Sequence, residues 1–241
     1  MRIIFLNAWS GNKRAEILEF IQKNSANTDV FCLQEVNVDL LNDMSKILGN
    51  FSVFYEADKN ISDAKAGQAI FVKDIYTSES SQKINFHVLD NENVGFLQFI
   101  EFSINNKTIN LINVHGDSRP GDKLDTPSRI NQSKTVLKFL EAKTGPKIIG
   151  GDWNLMPETE SIQIFERSGY TNLISKFNIK STRSKFSVEI AKKQATDETP
   201  FFGPQYFADF VFTSPEVNVT NFEVPNIEIS DHLPLILDFK V

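Results

Sequence analysis

Cysteine is almost absent from this 241-residue chain: Cys32 is the only one. That excludes an intrachain disulfide and a thiolate zinc cluster. Its setting, Val30-Phe31-Cys32-Leu33, reads as a small buried apolar side chain. No apolar stretch approaches the roughly 20 residues of a membrane-spanning helix. The opening run Met1 to Leu6 is too short for a signal peptide. A cytoplasmic protein without a membrane anchor is therefore expected. The net charge of -6 argues against a general nucleic-acid coat protein, while leaving room for a local basic patch. The sequence also lacks a glycine-rich phosphate loop, a nucleophile elbow and a metalloprotease helix motif. Nucleotide-driven and serine-hydrolase chemistries lose support accordingly.

The rest of the composition is that of an ordinary globular protein, with 41% apolar and 23% charged residues. The length fits one domain over residues 1–241 and suffices for a full core. Short apolar runs at residues 3–6, 30–33, 69–73, 94–104, 107–114, 148–149, 208–213, 217–224 and 235–239 predict strands. The Asn105-Asn106 pair predicts a tight hairpin. Helices are expected over Lys13 to Asn24, around Leu40 to Leu48 with Gly49 at the C-cap, from Pro127 (capped by Thr126) to about Lys143, and over Glu158 to Ser168. Residues 176–206 read as polar and irregular. The pattern is that of an α/β domain with layered, mainly antiparallel sheets.

Polar signatures sit at the ends of these apolar runs: Asn7, Gln34-Glu35, Asn113-Val114-His115, Gly151-Asp152-Trp153-Asn154, Asp209 and Ser230-Asp231-His232. Strand ends that converge on one sheet edge build a polar site on a rigid frame. Glu35, Asp152, Asp209 and Asp231, with Asn7 and Asn154, form an oxygen-rich set suited to a hard cation such as Mg²⁺ or Mn²⁺. Each acid taken singly is also an ordinary turn residue; the set of four is harder to explain that way. His115 ends a strand and His232 begins one, and histidine is the usual acid or base near neutral pH. Asp209 could fix the tautomer of His232. His87 has no polar neighbours in sequence and reads as structural.

Two basic segments stand out. Lys176 to Lys193 holds six basic residues and one acid, among them Arg183 and Lys185. Gly116 to Arg129 follows His115 directly and contains Arg119, Lys123 and Arg129. On an acidic protein such loops can steer an anionic substrate, and Arg119, Arg183 and Lys185 are the candidate substrate-binding cations. A solvated loop would look the same in sequence.

The ordered set from Asn7 through Glu35, Asn113-Val114-His115, Asp152-Trp153-Asn154 and Asp209 to Ser230-Asp231-His232-Leu233-Pro234 resembles the endonuclease/exonuclease/phosphatase superfamily, which includes the deoxyribonuclease I-like and AP-endonuclease-like enzymes. The resemblance spans nearly the whole chain. It implies a four-layer α/β/β/α sandwich with two central mixed β-sheets, and metal-dependent hydrolysis of a phosphate ester. It casts Glu35 as the principal Mg²⁺ ligand, with Asn7 and Asp231 assisting and Mn²⁺ as an alternative ion. It casts His232, oriented by Asp209, as the group that activates or positions water or contacts the phosphate. Asp152 and Asn154 would align the nucleophile and phosphoryl oxygens. His115 would contact the phosphate and assist the leaving group, with Glu56 orienting it, and Arg129 would be structural.

Two departures bear on substrate. His115 stands where the AP endonucleases carry Tyr, and Trp9 where they often place a second acid. Both lean away from abasic-site repair. Trp153 and Phe210 replace the commoner Phe and Tyr. The leading expectation is a nuclease, hydrolysing phosphodiester bonds in nucleic acid with Mg²⁺. Hydrolysis of a phosphomonoester, a phospholipid headgroup or an inositol phosphate is the alternative, and a non-catalytic binding protein the third reading. No obligate protein partner is implied.

Overall fold

A computed structural model describes residues 1–57, 66–76, 78, 81–86, 88–89, 92–93, 95–104, 107–197 and 200–241. The chain runs β1 (Arg2–Asn7), α1 (Arg14–Ser25), β2 (Val30–Asn37), α2 (Val38–Ile47), β3 (Phe51–Ala57), β4 (Ala66–Lys73), β5 (Ser81–Asn85), β6 (Val88–Leu89), β7 (Glu92–Asn93), β8 (Phe96–Ile104) and β9 (Lys107–His115). It continues with α3 (Pro127–Glu141), β10 (Lys147–Asp152), α4 (Glu160–Arg167), β11 (Thr171–Asn172), α5 (Leu173–Lys176), α6 (Ser187–Gln194), β12 (Asp209–Thr213), β13 (Asn218–Glu223) and β14 (Leu235–Lys240).

Two six-stranded mixed sheets result, in the orders β13-β14-β1-β2-β4-β3 and β11-β12-β10-β9-β8-β5. The parallel pairs are β1–β2, joined through α1, and β9–β10, joined through α3, as a parallel pair needs a crossover connection. The other pairings are antiparallel. The central strands β1, β2, β4 and β9 are buried on both faces, which is why they read in sequence as continuous apolar runs. Edge strands β3 and β13 are largely exposed.

Alternation along β1 and β2 separates the layers. Ile4, Leu6, Phe31 and Leu33 pack under Ile17, Phe20 and Ile21 of α1 and Leu40 and Met44 of α2. Ile3, Phe5, Val30 and Cys32 face the second sheet. The sheets approach so closely at Gly150 that a Cβ there would lie 2.6 Å from the Phe5 ring. On the far side, α3 and α4 cover the second sheet: Phe139 meets Phe99 edge-on at 4.8 Å, and Phe165 stacks on Phe212 at 4.5 Å. The four layers expected from the resemblance are thus present.

Amides tie the two sheets together. Gln34 donates to Asn113, Asn113 to the Leu33 carbonyl, Gln68 to the Phe96 carbonyl and Gln98 to the Phe54 carbonyl. Apolar packing alone is non-directional; these bonds fix how one sheet sits over the other.

Thr126 caps α3 by accepting from the Arg129 amide, with Pro127 at its first position. Gly169, with φ +88°, closes α4. Three expectations change. Gly49 lacks a left-handed φ, and α2 ends instead at Leu48, whose amide bonds Met44. The segment 176–206 is not wholly irregular, since it contains α6. A two-residue strand, β11, adds an edge to the second sheet. The hairpin pair Asn105-Asn106, the strand residue Val94 and His87 lie outside the described residues.

Candidate active site

Strand direction brings the polar signatures to one end of the sandwich. Asn7, His115 and Asp152 close β1, β9 and β10, and Glu35 lies near the end of β2. Asp209 opens β12, which runs antiparallel to β10, and His232 precedes β14, which runs antiparallel to β1. Register places Asp152 directly between His115 on β9 and Asp209 on β12.

Glu35 occupies an irregularity in β2, where the register against β4 shifts between Leu33 and Val36. Its φ is +52°, a left-handed value unfavourable for a side chain with a Cβ. The kink re-aims the carboxylate, as β-bulges beside sites commonly do. Asn7 Nδ2 donates to Glu35 Oε1 at 3.0 Å and to Asp152 Oδ2 at 2.9 Å. The orientation of that amide is fixed, because Asn7 Oδ1 accepts from the Trp9 backbone N–H at 2.9 Å. Asn7 therefore bridges the two carboxylates, and its oxygen is turned to the backbone. His115 Nε2 lies 3.7 Å from Glu35 Oε1. Ligand atoms of Glu35, His115 and Asp152 cluster within 4.8 Å of one another. A set of two carboxylates and one imidazole suits a divalent cation.

On the other flank, His232 Nδ1 lies 2.9 Å from both oxygens of Asp209, with Nε2 3.5 Å from Asp152 Oδ2. Both acids and the imidazole are almost fully buried. Burial, the largest influence, and Arg183 lower the pKa of His232, but Asp209, Asp152 and Asp231 outweigh them and raise it. Burial alone would raise Asp152; His232, Lys123, His115 and Arg183 instead bring it down to about 2.

Arg183 Nη2 donates to Asp231 Oδ2 at 2.8 Å, and its Nη1 contacts His232 Nε2. Short backbone bonds hold it there: Ser184 donates to the Asp231 carbonyl and Leu233 to the Thr182 carbonyl. Thr182 Oγ1 in turn accepts from the amides of Ala208 and Asp209. Asp231, expected beside the metal, is engaged by Arg183 and Ser230 and lies apart from the Glu35 cluster.

Asn154, also left-handed with φ +53°, returns its amide to Asp152 Oδ1 at 2.9 Å. Its own Oδ1 accepts from Lys123 Nζ at 2.7 Å. Lys123 was noted in sequence only as one of three cations in its loop; the fold selects it. Arg129, fully buried, donates to the carbonyls of Asp117, Pro120 and Leu124, so it pins that loop, and Lys123 lies within it. Burial, the main cause, lowers the Lys123 pKa to about 8. Arg119 and Lys185 are exposed, with no side-chain bond to the other site residues among those described. Lys185 lines a 730 Å³ cavity next to Arg183. Glu56 accepts from Ser81 Oγ and is not bonded to His115 among the described residues.

The family model described as Endonuclease/Exonuclease/phosphatase matches residues 4–232. The chain belongs to this family. Among curated proteins no sequence matches it. Solved structures do. The mannosyl-6-phosphatase of Bacteroides thetaiotaomicron VPI-5482 superposes with a TM-score of 0.76 at 17% identity, covering 100% of both chains. The human Nocturnin catalytic domain gives 0.73 at 17%, covering 100% of this chain and 93% of that one. TDP2 of D. rerio complexed with single-strand DNA product gives 0.74 at 16%, covering 100% and 99%. Membership of the endonuclease/exonuclease/phosphatase family makes this chain a phosphoric ester hydrolase of a family that typically depends on divalent metal. No helix among the described residues is long and apolar enough to cross a membrane.

Proposed function

We propose that the chain hydrolyses phosphodiester bonds of nucleic acid in the presence of Mg²⁺ or Mn²⁺. The observation that carries the reading is the register: His115 and the Asp209–His232 dyad flank Asp152 on opposite sides. In-line displacement at phosphorus requires a nucleophile on one side and a leaving oxygen on the other. Asp209 holds His232 Nδ1 as a donor, and Nε2, which Arg183 Nη1 contacts, would take the water proton once that guanidinium turns to the phosphate. A raised pKa makes the ring a stronger acceptor. Asp152, kept ionised, and Asn154 align that water. The water oxygen bonds to phosphorus as the ester P–O bond breaks, and the bonding pair leaves with the ester oxygen on the His115 side. Glu35, Asp152 and His115 would hold the ion, and Asn7 would orient the two carboxylates. A divalent ion held there would supply positive charge to offset the negative charge that develops at phosphorus.

Nucleic acid is favoured by the rim. Trp9 lies 5.9 Å from Phe186, and the Lys13 ammonium sits 4.4 Å from the centre of the Phe186 ring. Aromatic faces beside cations suit stacked bases and a phosphate backbone. The neighbouring TDP2 structure carries single-strand DNA product, which agrees with this choice. A second reading, hydrolysis of a phosphomonoester, is favoured by Lys123 and Arg183, because two deep cations suit a terminal phosphate dianion.

The deciding experiment compares wild type, Glu35→Gln and His232→Ala on single-stranded and duplex DNA, RNA, bis-p-nitrophenyl phosphate, p-nitrophenyl phosphate, inositol phosphates and sphingomyelin, with and without chelator. Metal-dependent strand cleavage lost in both variants supports the nuclease reading. Cleavage restricted to a monoester replaces it with the second, and hydrolysis that survives chelation refutes both.

A further inference from the structure

A second group of potential ligands stands beside the first: Asp152, Asp209 and His232, again with ligand atoms within 4.8 Å of one another. Three buried titratable groups in contact would ordinarily invite a second cation. Here the protein supplies its own. The Lys123 ammonium is fixed on Asn154 Oδ1, one hydrogen-bonded step from Asp152, because the Asn154 amide donates to Asp152 Oδ1. The Arg183 guanidinium is fixed on Asp231 and His232.

Neither cation is a loose surface group. The Lys123 carbonyl accepts from the Met156 amide at 2.9 Å, its backbone is left-handed at φ +59°, and its loop is pinned by buried Arg129. Arg183 is held through its own amide on Tyr206 and through the Thr182–Leu233 and Ser184–Asp231 bonds on either side. Each also keeps spare donors: an ammonium has three N–H groups and a guanidinium five.

Charge balance points the same way. Glu35, Asp152, Asp209 and Asp231 carry four negative charges, and Lys123 and Arg183 return two. With His232 shared between Asp152 and Asp209, the remaining deficit is at most two, no more than one divalent ion would meet. A second ion would have to enter against one buried cation, Lys123, and one partly buried cation, Arg183, whose repulsion burial strengthens.

We propose, resting on the metal-dependent reading above, that Lys123 and Arg183 occupy the role of a second metal. The centre then binds one divalent ion, beside Glu35, and meets the remaining phosphoryl charge with protein cations. Lys123 and Arg183 become phosphate-contacting residues of this chain.

The test counts ions rather than turnover. Mn²⁺ binding to the full chain is measured by electron paramagnetic resonance and equilibrium dialysis, with melting curves for each variant. Wild type is expected to bind one tight Mn²⁺, and Lys123→Arg, which keeps the charge, also one. Lys123→Met and the pair Lys123→Met with Arg183→Met are expected to gain a second site, tighter in the pair. Should the pair fail to fold, the contrast between Lys123→Met and Lys123→Arg decides alone. Two tight sites in wild type, or one site in every folded variant, would overturn the proposal. Glu35→Gln separates the two levels: loss of the single ion there upholds the underlying centre, whereas a retained tight site removes that centre and this proposal with it.

Discussion

Asp152 and Asp209 are directly opposed across β10 and β12, and the imidazole of His232 reaches both. Like charges facing each other on paired strands are destabilising, and burial sharpens the conflict. His232 relieves it. His232→Ala should lower turnover at least ~10²-fold as the water-activating group is lost. It should also destabilise the fold by ~1–3 kcal/mol, because a buried acceptor loses its partner. Adding Asp209→Asn should recover part of the stability and none of the activity. Urea unfolding and initial rates on the three proteins check this. Equal recovery of both would mean that His232 is only structural.

Arg129 acts at a distance. Arg129→Met should release residues 117–124, with Lys123 among them, while leaving Glu35 and Asp152 in place. Turnover should fall at least ~10-fold, in line with the cost of losing a positioned charge. Mn²⁺ affinity at the Glu35 cluster should change little, and limited proteolysis should cut within 117–124. Loss of metal binding together with turnover would show instead that the whole site had collapsed.

The contact between sheets at Gly150 gives a packing prediction. An alanine Cβ at that position would lie 2.6 Å from the Phe5 ring. Overpacking of this kind costs about 1–3 kcal/mol. Phe5→Leu in the same chain should recover part of the loss, and unfolding midpoints for the two single variants and the double variant test the coupling.

Acid stability should depend on the pair that joins the first and last strands. Arg2 Nη2 lies 2.8 Å from Asp238 Oδ2, and the bond from Arg2, the largest influence, lowers the Asp238 pKa below 3.8. A depressed acid stabilises the fold above its unfolded pKa, and the contribution disappears as pH falls through the folded value. Asp238→Asn should therefore be less stable than wild type at pH 7, by under about 1 kcal/mol because the pair is partly exposed. The gap should close as pH falls through the depressed folded pKa of Asp238, below 3.8. A constant gap across pH would assign the effect to packing.

The parts of this molecule that were legible in sequence are those where local pattern and burial coincide. β1, β2, β4 and β9 are covered on both faces, so their apolar runs are unbroken, and the polar residue ending each run stands out. Glu35 on β2 stood out in this way, as did Asp152, Asp209 and His232 at the ends of the apolar runs of β10, β12 and β14, and the fold brings the four to one end of the sandwich. Lys123 was not, because its loop also holds Arg119 and Arg129. One of these ended up exposed, one as an internal brace and one in the site, and only the folded path of the chain distinguishes them. Sequence could not show that Asn7 Oδ1 accepts from the Trp9 amide while its Nδ2 bridges Glu35 and Asp152. Helix α6 was missed because its few apolar positions lie in a strongly basic stretch, and packing of Phe186 and Ser187 at its start gives it a place.

Six non-glycine residues among those described have a left-handed backbone, and five of them belong to the site: Trp9, Ser10 (whose hydroxyl donates to Glu35 Oε2), Glu35, Lys123 and Asn154. Each such conformation costs on the order of 1–3 kcal/mol. Directed evolution of this protein for heat resistance alone would therefore find its easiest gains at these positions, by substitution with glycine or, at the four that are not already asparagine, with asparagine. Variants ranked by melting temperature should run opposite to variants ranked by turnover at these five residues, while the two rankings stay unrelated over the helical surface.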